Sequence, residues 1–155
     1  AVRNAKAIMQ EFPDKIILPK DMITSPSYEE KYELKKLDEI VIDDVIGDIG
    51  SEAIQNFKRI IESANTIFIN GTVGMYEQKP FSNGTQEILN IVSNTKAKKI
   101  VGGGDAGTAA KKYGYEEKMD FISTGGGSTL TFIANHTLPG IDALKINIDK
   151  LETLD

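Results

Sequence analysis

The chain has no cysteine and only one histidine, His136, among its 155 residues. Without cysteine it can form no disulfide and can use no thiolate as a nucleophile or a metal ligand. A single histidine also excludes a metal site built from several histidines. Because His136 falls in a predicted loop beside Asn135, we expect it to be an ordinary exposed residue.

Long apolar runs and an excess of basic charge are missing as well. No apolar run approaches the ~20 residues that a membrane-spanning helix needs, and no signal-peptide pattern opens the chain. The formal net charge is −5, whereas nucleic acids and anionic membranes bind faces rich in Lys and Arg. We therefore expect a cytoplasmic protein without a nucleic-acid or membrane partner. An anionic ligand would have to be held by backbone N–H groups, a helix N-terminus or a metal.

The sequence contains short β-branched runs that end in glycine or turn residues, each followed by a helical pattern. Strands are predicted over residues 15–19, 39–42, 66–69, 99–101 and 120–122. Helices are predicted over residues 2–11, 51–63 (with Ser51 as N-cap), 85–95, 106–113 and 128–134. Residues 25–36 are predicted to form a surface excursion, 138–140 a turn, and 145–155 a charged, weakly helical tail. This alternation predicts an α/β fold with a parallel sheet and flanking helices, in which ligands bind at the carboxyl ends of the strands.

Two glycine-rich segments follow predicted strands at that edge of the sheet. Gly102–Gly107 formally matches G-x-G-x-x-G, where bare glycines let backbone N–H groups approach a phosphate at a helix N-terminus. A dinucleotide site would also need an acidic residue after the next strand, but that strand ends in Thr124–Gly127. Tight strand-to-helix packing explains either segment alone equally well. Two such junctions side by side favour an anion site.

Two acidic residues near these segments have two interpretations each. Asp105 could hold a Mg²⁺ ion that bridges nucleotide phosphates, or it could be a helix N-cap. Glu77 follows Asn70 and Gly71 at the end of the third predicted strand. Its carboxylate could accept hydrogen bonds from sugar hydroxyls, or it could be an ordinary solvated side chain.

Three ordered segments resemble the C-terminal, nucleotide-binding half of phosphoglycerate kinase: Phe68–Glu77, Gly102–Asp105 and Ile122–Gly127. Weaker matches lie at Lys15–Pro19, Asp48–Gly50 and Leu138–Gly140. The resemblance covers about residues 1–144 and leaves residues 145–155 unassigned. It implies a Rossmann-like, three-layer αβα domain, of which this chain holds an incomplete copy without the leading strands.

The resemblance also implies a reaction, phosphoryl transfer between 1,3-bisphosphoglycerate and Mg-ADP in glycolysis, which gives 3-phosphoglycerate and ATP. It assigns Glu77 to the ribose hydroxyls and Asp105 to the magnesium ion. The other residues that it places at the nucleotide are Asn70, Gly71, Val73 and Gly104. The helix N-terminus that it turns toward the transferring phosphoryl group comprises Gly125, Gly126 and Gly127.

The chain departs from the family pattern in ways that limit the expected activity. Thr72 stands where the family has a proline, and Ala106 replaces a residue that commonly carries a hydroxyl group. Neither a basic phosphoglycerate site nor a Gly-Gly-Ala-Lys segment is found. We therefore expect phosphoglycerates to bind only with the absent N-terminal half, and the isolated chain to be inactive and to self-associate through an uncovered sheet edge. The alternative is a non-catalytic nucleotide-binding or interaction module derived from the same fold.

Overall fold

The computed structural model describes residues 2–26 and 31–152 of the chain. It consists of two compact units, one formed by Ala1–Ile60 with Val73–Ile88 and the other by Ile61–Thr72 with Leu89–Asp155. No helix among the described residues is long and apolar enough to cross a membrane.

The first unit is built on an antiparallel sheet with the strand order β2-β1-β3. Helix α1 (Val2–Glu11) has the predicted bounds and precedes the sheet. The strands are β1 (Asp21–Ser25), β2 (Glu33–Lys36) and β3 (Val45–Ile49). Ile23 of β1 lies opposite Leu34 of β2 and Asp48 of β3.

The predicted strand at residues 15–19 is wrong, because this apolar run is an exposed loop. The predicted surface excursion at 25–36 is wrong where it covers the end of β1 and all of β2, and its residues 27–30 lie outside the described residues. Strand β1 gives no strand signal in the sequence because its buried residues are polar: Asp21, Thr24 and Ser25 are each 3% exposed or less. A pattern of apolar alternation cannot detect such a strand.

The predicted strand at residues 39–42 is also wrong. Residues 37–39 form a 3-10 turn in which the Glu39 carboxylate accepts a hydrogen bond from the Lys36 N–H at 2.8 Å. Farther along, the Asp44 carboxylate accepts one from the Val41 N–H at 2.9 Å. Side-chain acceptors of this kind compete with strand pairing, and the strand begins only at Val45.

Helix α2 (Ser51–Ser63) has the predicted bounds, but its N-terminus is capped from another element. The Asp21 carboxylate accepts hydrogen bonds from the N–H groups of Glu52 and Ala53, at 3.0 and 2.7 Å. Ser51 is itself the first helical residue, so its predicted role as N-cap belongs to Asp21. Two N–H groups of the first turn, which have no partner within the helix, thereby find an acceptor in β1.

The second unit contains a parallel sheet with the strand order β4-β5-β6. Its strands are β4 (Thr66–Asn70), β5 (Lys98–Gly102) and β6 (Phe121–Ser123), all close to the predicted positions. Its helices are the end of α3 (Asn83–Ser93), then α4 (Gly104–Lys112), α5 (Gly126–Asn135) and α6 (Pro139–Glu152). The predicted α/β class is thus confirmed as a parallel sheet of three strands with flanking helices, rather than the five strands expected.

The small residues of α4 bring it close to the sheet. Ala106, Ala109 and Ala110 are at most 1% exposed, as is Val101 of β5. A Cβ atom at Gly107 would lie 3.1 Å from Ile122 Cγ2 in β6. Close packing of α4 on β5 and β6 sets the position of its N-terminus.

The chain after α5 differs from the prediction at one point. The expected turn at residues 138–140 is wrong, since Pro139 begins α6, a position where proline's missing N–H costs nothing. Helix α6 runs without a break through residue 144, and the predicted domain limit there stays a prediction. Residues 153–155 of the predicted tail lie outside the described residues. His136 is exposed, as expected, at the C-terminus of α5.

Candidate functional site

In the second unit, the carboxyl ends of the three parallel strands lie against one another. Asn70 pairs with Gly102, and Gly102 pairs with Ser123. A Cβ atom placed on Gly126 would lie 2.7 Å from Asn70 Oδ1, 2.9 Å from Gly103 Cα and 3.2 Å from Gly103 N. Because real Cβ atoms do not approach other atoms below 3.0 Å, only glycine fits at residue 126.

The backbone at Gly103 fixes the junction between β5 and α4. Its φ and ψ of 102° and 148° belong to a region that is essentially restricted to glycine. Its N–H group donates a 2.8 Å hydrogen bond to the Ser123 carbonyl oxygen. The end of β5 is therefore tied to the end of β6, directly beneath the first turns of two helices.

Helices α4 and α5 both begin at this edge without a side-chain cap. Their N-cap residues are Gly103 and Gly125, and neither supplies a capping hydrogen bond. The first-turn residues Gly104 and Gly127 are exposed. Free N–H groups and the positive ends of two helix dipoles thus face the solvent in one region, an arrangement that attracts an anion such as phosphate.

Hydrogen bonds within the β6–α5 junction hold this arrangement. Ser123 Oγ accepts a hydrogen bond from the Gly125 N–H at 3.2 Å. The hydroxyl of Thr129 lies 3.0 Å from Ser123 Oγ and 2.7 Å from the Gly125 carbonyl oxygen. The path of residues 123–125, and with it the start of α5, is set by contacts inside the junction.

Asp105 lies in the exposed first turn of α4. Since the N-cap is Gly103, the interpretation of Asp105 as an N-cap is wrong. The Asp105 carboxylate makes no hydrogen bond or ion pair with any residue that the structure describes. The described residues also contain no group of three acidic or histidine side chains that could hold a metal alone. This donor set fits Mg²⁺ bound through one carboxylate, waters and ligand phosphates.

A small pocket of about 210 Å³ lies beside this edge, between α4 and β6. Its lining residues are Gly103, Gly104, Gly107, Thr108, Lys111, Glu116, Ile122 and Thr124. The volume is below the ~300 Å³ at which most ligand pockets begin, so it has room for part of a ligand. Thr108 and Lys111 were not among the predicted site residues, although their spacing from Gly104 places all three on one face of α4.

Val73 and Glu77, the remaining predicted residues, belong to the first unit. They lie in the loop between β4 and α3, and both side chains are exposed. Gly71 has a φ of 89°, which glycine adopts readily. The structure therefore brings together Asn70, Gly71, Gly104, Asp105 and Gly125–Gly127, whereas Val73 and Glu77 lie in the other unit.

The family model for phosphoglycerate kinase matches residues 1–136. The chain belongs to the phosphoglycerate kinase family. It is 36% identical over 142 residues to the phosphoglycerate kinase of Thermoplasma acidophilum, covering 92% of this chain and 34% of the relative. It is 42% identical over 132 residues to that of Wigglesworthia glossinidia brevipalpis, covering 84% and 34%.

Solved structures agree with the sequence relatives. Phosphoglycerate kinase from Pyrococcus horikoshii OT3 superposes with a TM-score of 0.80 at 31% identity, covering 96% of this chain and 37% of that one. The enzyme from Coxiella burnetii gives 0.77 at 30% identity, covering 84% and 35%. The resemblance seen in the sequence is confirmed, and the family is one of phosphotransferase enzymes. The chain spans about a third of the length of these relatives.

Proposed function

We propose that this chain is the nucleotide-binding part of a cytoplasmic, glycolytic phosphoglycerate kinase. It would hold Mg-ADP or Mg-ATP during phosphoryl transfer to or from a phosphoglycerate. The observation that carries the proposal is the convergence of Asn70, Gly103 and Gly126, which places two uncapped helix N-termini beside one exposed carboxylate. Family membership supplies the reaction, and this geometry supplies the means of binding its nucleotide.

The chain's own groups would act by binding and by charge stabilisation. N–H groups in the first turns of α4 and α5 would donate to phosphate oxygens, and Asn70 and Gly71 lie beside the same region at the end of β4. Asp105 would hold Mg²⁺, which when bound neutralises charge on the nucleotide phosphates. At Gly125–Gly127 the N–H groups would stabilise the charge of the transferring phosphoryl group. Phosphoryl transfer needs this positioning and charge stabilisation rather than a covalent protein intermediate.

The sugar would be bound by the loop of the first unit. The exposed Glu77 carboxylate is a double acceptor that suits two vicinal ribose hydroxyls. Val73, which is 40% exposed, offers an apolar contact in the same loop. Thr72 replaces the family's proline and leaves the backbone before Val73 with more conformational freedom.

Calorimetric titration tests nucleotide binding. We expect weak, saturable binding of Mg-ADP that Asp105→Asn reduces and that removal of magnesium reduces to the same level. Glu117→Gln, which changes an exposed carboxylate elsewhere in the second unit, is the matched control and should leave the affinity unchanged. Absence of ADP binding at millimolar concentration would overturn the proposal.

We propose further that the isolated chain does not catalyse the reaction. In-line positioning of both substrates contributes roughly 7–11 kcal/mol to such reactions, and this acidic sequence offers no basic cluster for a phosphoglycerate. ATP formation from 1,3-bisphosphoglycerate should stay at background, and should rise when an N-terminal half from a relative is supplied. Nucleotide binding without any such complementation would favour the alternative, a non-catalytic nucleotide-binding module. Turnover by this chain alone would contradict the proposal directly.

A further inference from the structure

Asp48, at the end of β3, is more deeply buried than Asp21, the other buried carboxylate among the described residues of the first unit. Asp48 is 1% exposed, and it is not among the residues proposed to contact the nucleotide. Its Oδ2 accepts a hydrogen bond from the Gly84 N–H at 2.7 Å, and its Oδ1 accepts one from the Ile49 N–H at 2.9 Å. The first of these bonds joins the sheet to the N-terminal turn of α3.

The backbone around the Asp48 carboxylate is packed so closely that two neighbouring residues must be glycine. A Cβ atom on either Gly74 or Gly84 would collide with Asp48 Oδ1. Neither glycine has a positive φ, so space rather than backbone conformation requires glycine there. Gly74 belongs to the 73–78 loop, the segment that carries both Val73 and Glu77.

The 73–78 loop is also fastened on both sides of this contact. The Gly74 N–H donates to Thr85 Oγ1 at 3.2 Å, and the Met75 N–H donates to the Gly47 carbonyl oxygen at 2.9 Å. Tyr76, one residue before Glu77, is 7% exposed. The loop backbone therefore packs against the end of β3 and the start of α3, and the Asp48 side chain lies between these three segments.

We propose that Asp48 is a positioning residue for the nucleotide site, which fixes the 73–78 loop so that Glu77 meets the ribose hydroxyls. The inference rests on the proposed function. Burial raises the pKa of Asp48 above its ordinary value of 3.8, and the N–H groups of Gly84 and Ile49 oppose that rise. The carboxylate is thus kept at a site that disfavours its charge. One oxygen bonds the start of α3, the other bonds its own strand, and the loop packs against the side chain at Gly74.

The test compares Asp48→Asn with Asp21→Asn. Asp21 is 3% exposed and accepts two backbone N–H bonds at the start of α2, without a described contact to the 73–78 loop. The two substitutions therefore remove similar bonds from the same unit, and only one of them concerns the loop. Affinities for Mg-ADP and for its 2′,3′-dideoxy analogue are measured for each protein, together with amide hydrogen exchange over residues 73–78.

We expect the wild type and Asp21→Asn to prefer ADP by at least about tenfold, because the analogue lacks both hydroxyls and one hydrogen bond to a charged group already contributes about that factor. Asp48→Asn should lose most of that preference and exchange faster at residues 73–78, while binding of the dideoxy analogue changes little. A general loss of structure would instead weaken both ligands together. If Asp48→Asn does not fold, Gly74→Ala disturbs the same contact from the loop side and should give the same result.

The outcomes separate the inference from the proposed function. A wild-type preference for ADP that survives in Asp48→Asn, or in Gly74→Ala, overturns the positioning role and leaves the proposed function standing. A wild type that binds neither nucleotide overturns the proposed function and this inference with it.

Discussion

Replacing Gly126 with alanine tests the central feature of the candidate site, the contact between strand ends. The new methyl group would lie 2.9 Å from Gly103 Cα and 2.7 Å from Asn70 Oδ1. The asparagine side chain can rotate away, but Gly103 is main chain, and its N–H group is bonded to the Ser123 carbonyl oxygen. The collision can be relieved only by moving α5 away from the end of β5.

The expected magnitude follows from a matched variant one residue later. Overpacking by a single methyl group against fixed backbone costs typically about 1–3 kcal/mol. A Cβ atom on Gly127 meets nothing within 4 Å, so Gly127→Ala should be neutral or stabilise the chain by up to ~1 kcal/mol through reduced freedom of the unfolded state. The free energies of unfolding of the two variants should therefore differ by about 1–4 kcal/mol.

Thermal and urea unfolding of the two variants and the wild type measure this difference. In a chain of this size each kcal/mol corresponds to roughly 2–4 °C in Tm, so Gly126→Ala should melt clearly below Gly127→Ala. Equal stability of the two variants would refute the steric argument. The strand ends would then be farther apart than the structure places them.

Four further predictions follow from other contacts. Asp21→Asn should lower the free energy of unfolding by about 1–3 kcal/mol, because one N–H at the start of α2 loses its acceptor, whereas Ser51→Ala should change urea unfolding by less than ~0.5 kcal/mol. The pKa of Asp48 is raised in the folded state. Its contribution to stability is therefore full below the unfolded pKa near 4 and is lost as the pH rises through the raised pKa. The difference in free energy of unfolding between wild type and Asp48→Asn should fall over the same pH range. Gly104→Leu should keep the wild-type Tm, since nothing lies within 4 Å of a Cβ there, but should weaken Mg-ADP binding in calorimetry. Among the described strands, β4 and β6 are each paired on one side only, so sedimentation should show concentration-dependent association, and a monomer at high concentration would contradict this.

The second unit could be predicted from sequence because local signals coincide with its elements. β4, β5 and β6 are short β-branched or aromatic runs, and each leads directly into a glycine segment. Their order along the chain is also their order in the sheet. In this unit, elements that follow one another in sequence are also neighbours in space. The first residues of α4 and α5 were misplaced by two positions, and the start of α6 was predicted as a turn.

The first unit could not be predicted in the same way, since its decisive interactions join distant residues. Asp21 is 31 residues from Glu52, and Asp48 is 36 residues from Gly84. In the sequence both aspartates look like ordinary surface residues. Each is instead a buried acceptor at the start of a helix. The carboxylate loses its hydrogen bonds to water and gains two from backbone N–H groups, which only the tertiary fold brings within reach.

The sequence leaves two reasons open for the glycines of the candidate site, close packing and access for a ligand. The structure distinguishes between them at individual glycines. Packing or backbone conformation accounts for three of the glycines. A Cβ on Gly102 would lie 2.8 Å from the Phe68 ring, Gly103 has a positive φ, and a Cβ on Gly126 would collide with its neighbours. Gly104 and Gly127 have neither a crowded neighbour nor a positive φ. Both lie in the first turn of a helix, where glycine is a poor choice for stability. The chain's own packing does not explain why glycine stands at these two positions. The proposed nucleotide site would, because its phosphates would approach those two N–H groups.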